Sequence, residues 1–144
     1  METLIEIMRK VLADTFAMYL KAHNYHWNVE GPNFPQYHDF FGKLYEELHG
    51  AVDPIAEEIR ALDAYAPGSF SRFLELTEIE DETNIPMSRE MALKLLRDND
   101  VVLNTLNVAF KLADQFDRQG LADFIAGRID VHNKHGWMLR SIIK

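Results

Sequence analysis

The sequence predicts an all-α protein: a four-helix bundle in which a long crossover between the second and third helices carries a short extra helix. Apolar residues recur at helical spacing in four long runs. No segment of useful length shows the alternation of a β-strand. The chain has 144 residues, of which 47% are hydrophobic, so we expect a single domain over residues 1–144.

The first long helix is predicted over residues 3–28. One side of it carries, at helical spacing, Leu4, Met8, Val11, Leu12, Thr15, Tyr19, Ala22 and His26. The pattern stops before Gly31 and Pro32, two residues that typically end a helix.

The second long helix is predicted from Phe34 or Gln36 to about Ala64. Its apolar residues fall within an arc of ~80° at ~100° per residue. They are Phe41, Leu44, Leu48, Val52, Ile55, Ile59 and Leu62. Pro54 lies inside this run, where it removes a backbone hydrogen bond and favours a kink. The stripe keeps its phase on both sides of Pro54, so we expect one continuous helix.

The rest of the chain predicts one short and two long helices. The segment FSRFLEL, residues 70–76, is expected to form the short helix in the crossover. The third long helix is predicted over Arg89–Arg118, with Ser88 as its N-cap. Gly120 is expected to separate it from the fourth, Leu121–Ile143.

Composition limits the possible chemistry. The chain has no cysteine, which leaves histidine, aspartate and glutamate as the strong metal ligands. The net charge of −8 argues against electrostatic binding of nucleic acid by the protein as a whole. The amphipathic N-terminus does not resemble a signal peptide, and no segment could span a membrane. We therefore expect a cytoplasmic protein.

The second helix carries polar residues on the side away from its apolar stripe. With Leu44 set to zero, the stripe is centred near ~40°, whereas His38 lies near ~120°, Gly42 near ~160°, Asp53 near ~180° and Glu57 near ~220°. Asp53 and Glu57 are neighbours at i, i+4 and could hold a divalent cation together. On most helices two outward carboxylates simply form a solvated face. Helical geometry alone leaves both interpretations open.

His26 is either a core histidine with a satisfied hydrogen bond or a metal ligand. The tight connection between the first two helices brings His38 close to it. Asp53 and Glu57 lie 15 and 19 residues beyond His38, which is ~22 to 28 Å along a helix, so they cannot share an ion with His38 in the same chain. Two copies of the second helix, packed antiparallel about a two-fold axis, would bring these residues together.

Several motifs resemble the Dps family, the miniferritins named as DNA-binding proteins from starved cells. They are HNYHWNVEGPNF, a YH pair 12 residues after His26, AVDPIAEEIRALD, and RIDVHNKHGWMLRS near the C-terminus. The resemblance covers essentially the whole chain. It implies a ferritin-like bundle assembled as a hollow shell of 12 subunits. It also implies oxidation of Fe(II), typically by hydrogen peroxide, and storage of the ferric product.

The resemblance also implies roles for individual residues. His26 and His38 match the family's histidine ligands from one subunit, and Asp53 and Glu57 match the carboxylates from its two-fold mate. Trp27 is similar to the tryptophan that intercepts oxidising equivalents near the centre; packing at an interface is the alternative role. The cofactor is expected to be iron, although zinc or manganese suits the same ligands.

One position departs from the family pattern. Four residues after His38 the family usually carries Asp or Glu, whereas this chain has Gly42. A carboxylate ligand is therefore missing, and Glu46 is the only nearby substitute on nearly the same face. The departure leaves a second function open: a cage without efficient oxidation that acts by sequestering metal or protecting DNA.

Other features remain expectations. Asp114 and Asp123 resemble the acidic residues that line the family's iron-entry pores, or they are ordinary surface residues. Binding to DNA is expected to be weak or absent, because the acidic chain ends at RSIIK without a basic tail. The sequence assigns no role to His23, His49, His132 and His135.

Overall fold

A computed structural model describes all 144 residues, which form five α-helices and no strand. The helices are α1 (Glu2–Asn28), α2 (Phe34–Ala61), α3 (Phe70–Leu76), α4 (Ser88–Gln115) and α5 (Gln119–Ile143). The predicted all-α bundle, with a short helix in the crossover, is confirmed. The short helix has the bounds that the sequence predicts.

The four long helices enclose one apolar core. α1 packs along α2, α4 packs along α5, and α1 also contacts α4 and the short α3. The largest fully buried side chains come from α1, α2 and α4 and include Met8, Leu12, Phe41, Leu48, Ile55, Leu95 and Leu106. Burial of this apolar surface is the main driving force for folding. α2 continues through Pro54, and the Pro54 side chain is exposed to solvent.

Two predicted helix ends are wrong for one physical reason. α2 ends at Ala61 instead of about Ala64, and α4 ends at Gln115 instead of Arg118. An aspartate in the left-handed conformation follows each end: Asp63 at φ 62° and Asp117 at φ 56°. Each lies in the paired hydrogen-bond pattern that closes a helix C-terminus. Aspartate adopts this conformation more readily than most residues, so no glycine is needed.

Two expectations at helix starts are also wrong. Gly120 was expected to separate the last two helices, but it lies inside the first turn of α5. The break is made instead by Asp117 and its neighbours. Ser88 is the first residue of α4, not its N-cap; Met87 holds that position, without a side-chain hydrogen bond.

A buried carboxylate fastens the crossover to the bundle. Asp14 of α1 is fully buried and accepts hydrogen bonds from the hydroxyls of Thr77 (2.7 Å) and Thr105 (2.8 Å) and from the backbone N–H of Glu78 (3.2 Å). Burial raises the pKa of Asp14, and these hydrogen bonds oppose the rise. The segment after α3 is thereby tied to both α1 and α4.

A second polar connection joins α2 to α5. Glu47 accepts hydrogen bonds from Arg128 (2.6 and 3.1 Å) and from Nε2 of His135 (2.8 Å). Burial alone would raise the pKa of Glu47, but the hydrogen bonds and positive charge of these two residues outweigh it and lower the pKa to about 2. Glu47 therefore points into the bundle, away from the outer surface of α2.

His132 extends this connection to α4. Burial, together with the charge of Arg128, holds the pKa of His132 well below its usual value, so the ring is neutral. Its Nδ1–H donates to Asn99 Oδ1 (2.8 Å), and its Nε2 accepts from Arg128 (3.1 Å). His132 and His135 therefore have structural roles that their sequence positions did not reveal.

None of the five helices combines the length and the apolar character needed to cross a bilayer.

We predict that Glu47→Gln lowers the free energy of unfolding at neutral pH by about 1–2 kcal/mol, because it removes the charge that Arg128 and His135 face. Because the pKa of Glu47 is lowered on folding, its carboxylate stabilises the folded state at pH values above the ordinary pKa of 4.5. This contribution disappears as the pH falls towards 2. The variant should therefore lose stability less steeply than the parent in this range. Denaturant unfolding at several pH values measures both effects.

Asp130→Asn is the matched control. Asp130 pairs with Lys134 on the exposed surface of α5, so its loss should change stability by less than about 0.5 kcal/mol. Equal effects of the two substitutions would show that the Glu47 connection contributes no more than a surface ion pair.

Candidate metal centre

The end of α1 and the start of α2 meet through two histidines. Nδ1 of His26 lies 2.7 Å from the backbone carbonyl oxygen of His38, and Nδ1 of His38 lies 2.7 Å from the carbonyl oxygen of His26. The two rings are stacked, with their centroids 3.8 Å apart and their planes at 17°. The short connection over residues 29–33 makes this reciprocal contact possible.

The reciprocal hydrogen bonds determine which ring nitrogens are available. A carbonyl oxygen can only accept, so each Nδ1 must carry the proton and donate it. In the neutral rings each Nε2 then keeps its lone pair, and neither Nε2 has a hydrogen-bond partner in the chain. A backbone carbonyl that holds Nδ1–H is the usual support for a histidine that binds metal through Nε2. The pair therefore offers two oriented nitrogen ligands.

Gly42 has a packing role beside this pair. A Cβ atom at this position would lie 3.1 Å from both Cε1 and Nδ1 of His26. The His26 ring therefore lies directly against the α2 backbone, and a larger residue at position 42 would push the ring outward by a few tenths of an ångström. The sequence indicated a missing carboxylate at Gly42, but not that its absence makes room for His26.

The two carboxylates are elsewhere on α2. Asp53 and Glu57 are exposed, and neither forms a hydrogen bond or an ion pair within the chain. No group of three or more His, Asp or Glu side chains in one chain converges closely enough to hold a metal ion. One chain therefore presents a histidine pair at one end of the outward face of α2 and a carboxylate pair at the other.

A stack of aromatic rings adjoins the histidine pair. His23 lies between Tyr45 (3.7 Å between centroids, planes at 6°) and Trp27 (3.9 Å). Burial lowers the pKa of His23, and the neighbouring His26 adds to the effect, so His23 packs as a neutral aromatic ring. The Tyr19 hydroxyl lies 3.1 Å from His23 Nδ1.

This stack connects Trp27 to the ligand pair through His23, whose ring centroid lies 6.1 Å from that of His26. Tyr45 contacts His26 at 5.2 Å between centroids, whereas Trp27 is 59% exposed. The sequence did not predict that His23 and Tyr45 would stack beside the histidine pair. The i, i+4 spacing of His23 and Trp27 was the only available signal, and the contact with Tyr45 comes from another helix.

Comparison with known proteins agrees with this architecture. The family model described as a ferritin-like domain matches residues 5–144. DNA protection during starvation protein 2 of Bacillus anthracis is 30% identical over 96% of this chain and 95% of its own length. The crystal structure of a Dps protein from Bacillus brevis superposes with a TM-score of 0.95 at 29% identity, covering 99% of this chain and 96% of that chain.

The chain belongs to the Dps family of ferritin-like proteins. A low temperature-induced protein of Nostoc sp. is 34% identical to this Dps chain, and the alignment covers 97% of this chain and 79% of the Nostoc protein. The Dps protein of Vibrio cholerae, described as a member of a superfamily of ferritin-like diiron-carboxylate proteins, superposes with a TM-score of 0.95 at 26% identity. The superposition covers 99% of this chain and 90% of the Vibrio cholerae chain.

We predict that Gly42→Ala gains less stability than an alanine at an unobstructed helical glycine. Alanine normally stabilises a helix interior by about 0.5–1 kcal/mol relative to glycine. Gly127 of α5 has open space where a Cβ would lie, so Gly127→Ala should show this gain. At Gly42 the displaced His26 ring should cancel it. Denaturant unfolding at equal protein concentration compares the two, and equal gains would mean that the His26 contact is not tight.

Proposed function

We propose that this Dps protein, with residues 1–144 as one ferritin-like domain, binds and oxidises Fe(II), uses hydrogen peroxide as the oxidant, and stores the ferric product inside a hollow shell of 12 subunits. This activity protects the cell from oxidative damage. The observation that carries the proposal is the His26–His38 pair, whose Nδ1 atoms are held by backbone carbonyls while both Nε2 atoms remain available.

Two chains complete the site. When two α2 helices pack antiparallel about a two-fold axis, His38 of one chain approaches the partner's Asp53 and the partner's Glu57. Imidazole nitrogen and carboxylate oxygen suit iron, and also zinc or manganese. Membership of a family that includes a ferritin-like diiron-carboxylate relative supports iron as the physiological metal.

Exposed apolar side chains support assembly with further copies. Phe70 is 84% exposed and Leu74 is 66% exposed, and both line a groove with Trp27 between α1 and α3. Apolar surface of this kind is typically covered by a partner. We assign the partner as other copies of the same chain, because the incomplete metal site on α2 requires one.

The chemistry follows from the ligands. Two Fe(II) substrate ions each donate one electron to hydrogen peroxide, its O–O bond breaks, and two protons complete two molecules of water. Pairing the two electrons avoids the release of a hydroxyl radical. His38, Asp53 and Glu57 hold one Fe(II), and His26 binds or supports the second. Trp27 intercepts oxidising equivalents that escape this pairing.

Three further features complete the proposal. Asp114 and Asp123 are exposed on either side of the turn between α4 and α5, where acidic residues would attract Fe(II) to an entry pore. The net charge of −8 makes DNA binding weak or absent. The working location is the cytoplasm.

The contact at Gly42 favours a second candidate function. Without a carboxylate at this position, the second iron has fewer ligands than the first. The chain would then form a cage that sequesters metal, or protects DNA, without efficient oxidation. The two candidates differ in the rate of Fe(II) oxidation per site.

We predict that Asp53→Ala combined with Glu57→Ala weakens Fe(II) binding by roughly 100-fold or more, since two of the three ligands of the better-held iron are lost. Helical content should stay unchanged, because both side chains are exposed in the chain. Anaerobic Fe(II) titration and circular dichroism measure these effects. Asp100→Ala with Asp130→Ala removes the same charge from exposed positions on other helices and should leave Fe(II) binding unchanged.

Light scattering of the parent tests the shell. Twelve chains of 16.7 kDa give a particle of about 200 kDa. A parent protein that stays monomeric, or a double variant that binds Fe(II) as tightly as the parent, would contradict the proposed site.

We predict that Gly42→Asp oxidises Fe(II) faster than Gly42→Ala. Both variants add the Cβ that displaces His26, but only aspartate also adds a carboxylate one turn from His38. Stopped-flow absorbance after mixing with peroxide gives the rates. Equal rates in the two variants would mean that a carboxylate at this position contributes nothing, and that Glu46 or water already serves the second iron.

A further inference from the structure

Glu46 and His49 both lie on the outward face of α2. In the helix they fall near ~200° and ~140° on the scale that places Leu44 at zero, between the directions of His38 and Glu57. Both side chains are exposed, and neither forms a hydrogen bond or an ion pair in the chain. The His49 ring is held against the Tyr19 ring, with centroids 4.8 Å apart.

The proposed iron site fixes where the two-fold axis crosses α2, so this inference rests on the proposed function. In two antiparallel copies of α2, the positions that face each other are equally distant from the two-fold axis. If His38 faces the partner's Asp53 and the partner's Glu57, the axis therefore crosses α2 midway between residues 38 and 53 or between 38 and 57. The midpoints lie between residues 45 and 48. Glu47 points inward to Arg128 and His135, which leaves Glu46 as the carboxylate nearest the axis.

Two copies of Glu46 that face each other across the axis need a positive charge between them, since like charges repel strongly away from water. Arg60, the only cationic residue on this face, is ~21 Å away along the helix and donates to the carbonyl of Ala64. Lys43 precedes Glu46 by three residues, but its ammonium pairs with Asp39 at 3.0 Å and not with Glu46. Neither can neutralise the pair.

His49 supplies the complementary donor. It follows Glu46 by three residues, so the two side chains are neighbours on one helical face. The two-fold operation therefore gathers two carboxylates and two imidazoles around one point. Imidazole nitrogen and carboxylate oxygen are both ligands of Zn²⁺, and four ligands fill its tetrahedral coordination.

We propose that a divalent metal ion with the ligand preference of Zn²⁺ binds on the two-fold axis, held by Glu46 and His49 of both copies. Within one α2 helix, His38 lies ~22 to 28 Å from Asp53 and Glu57, and the axial site lies halfway between them. It is therefore ~11 to 14 Å along the helix from each iron site and shares no ligand with either. Its role is to join two copies of α2 where their carboxylates would otherwise repel.

The test uses Zn²⁺ as the probe and equilibrium dialysis of the assembled Asp53→Ala/Glu57→Ala protein, in which the iron sites lack their carboxylate ligands and keep only the histidine pair. Two-fold symmetry predicts about half an ion per chain. Adding His49→Ala, or separately Glu46→Gln, should abolish this binding, whereas adding Asp130→Asn should not. Co²⁺ in place of Zn²⁺ should show the visible absorption of a four-coordinate ion.

The outcomes separate this site from the iron site. Zinc bound to the double variant but unaffected by His49→Ala, or no zinc bound at all, overturns the axial site and leaves the iron site standing. Axial zinc together with undiminished Fe(II) binding in the double variant overturns the iron site alone. A parent protein that remains monomeric by light scattering overturns both.

Discussion

The reciprocal hydrogen bonds between His26 and His38 are the interaction on which the rest of the account depends. The carbonyl of His26 belongs to the last turn of α1, where helix carbonyls lack partners, and the His38 ring satisfies it. The same contact closes the hairpin between α1 and α2 and leaves both Nε2 atoms without a hydrogen-bond partner in the chain. Gly42 favours this close approach, because a Cβ there would lie only 3.1 Å from the His26 ring. The same hydrogen bonds therefore stabilise the helical hairpin and orient the candidate metal ligands.

A part-buried polar contact between α2 and α5 contributes to the orientation of α2. Glu47 is held towards α5 by Arg128 and His135, which reinforces the rotation that the buried apolar stripe of α2 sets. The adjacent Glu46, ~100° around the helix, must then face outward, as must Asp53 and Glu57. The apolar stripe and this ion pair, neither of which contacts metal, together determine which carboxylates are presented to a second chain.

Helical periodicity predicted most of the fold, because four amphipathic helices carry a strong repeating signal. It failed at Asp63 and Asp117, where aspartate takes the left-handed position that glycine usually fills. The face of α2 that bears His38, Asp53 and Glu57 also followed from helical angles. The packing of Gly42 against His26, and of His23 between Tyr45 and Trp27, did not, because periodicity within one helix contains no information about which ring of another helix lies opposite.

The most direct test of the central claim is anomalous diffraction at the iron edge from crystals loaded anaerobically with Fe(II). Iron is expected at about 2 Å from Nε2 of His38, with the partner's Asp53 and the partner's Glu57 as its oxygen ligands and a weaker second peak beside His26. Iron bound inside the bundle among Glu47, His132 and His135, or no iron at the two-fold interface, would contradict it.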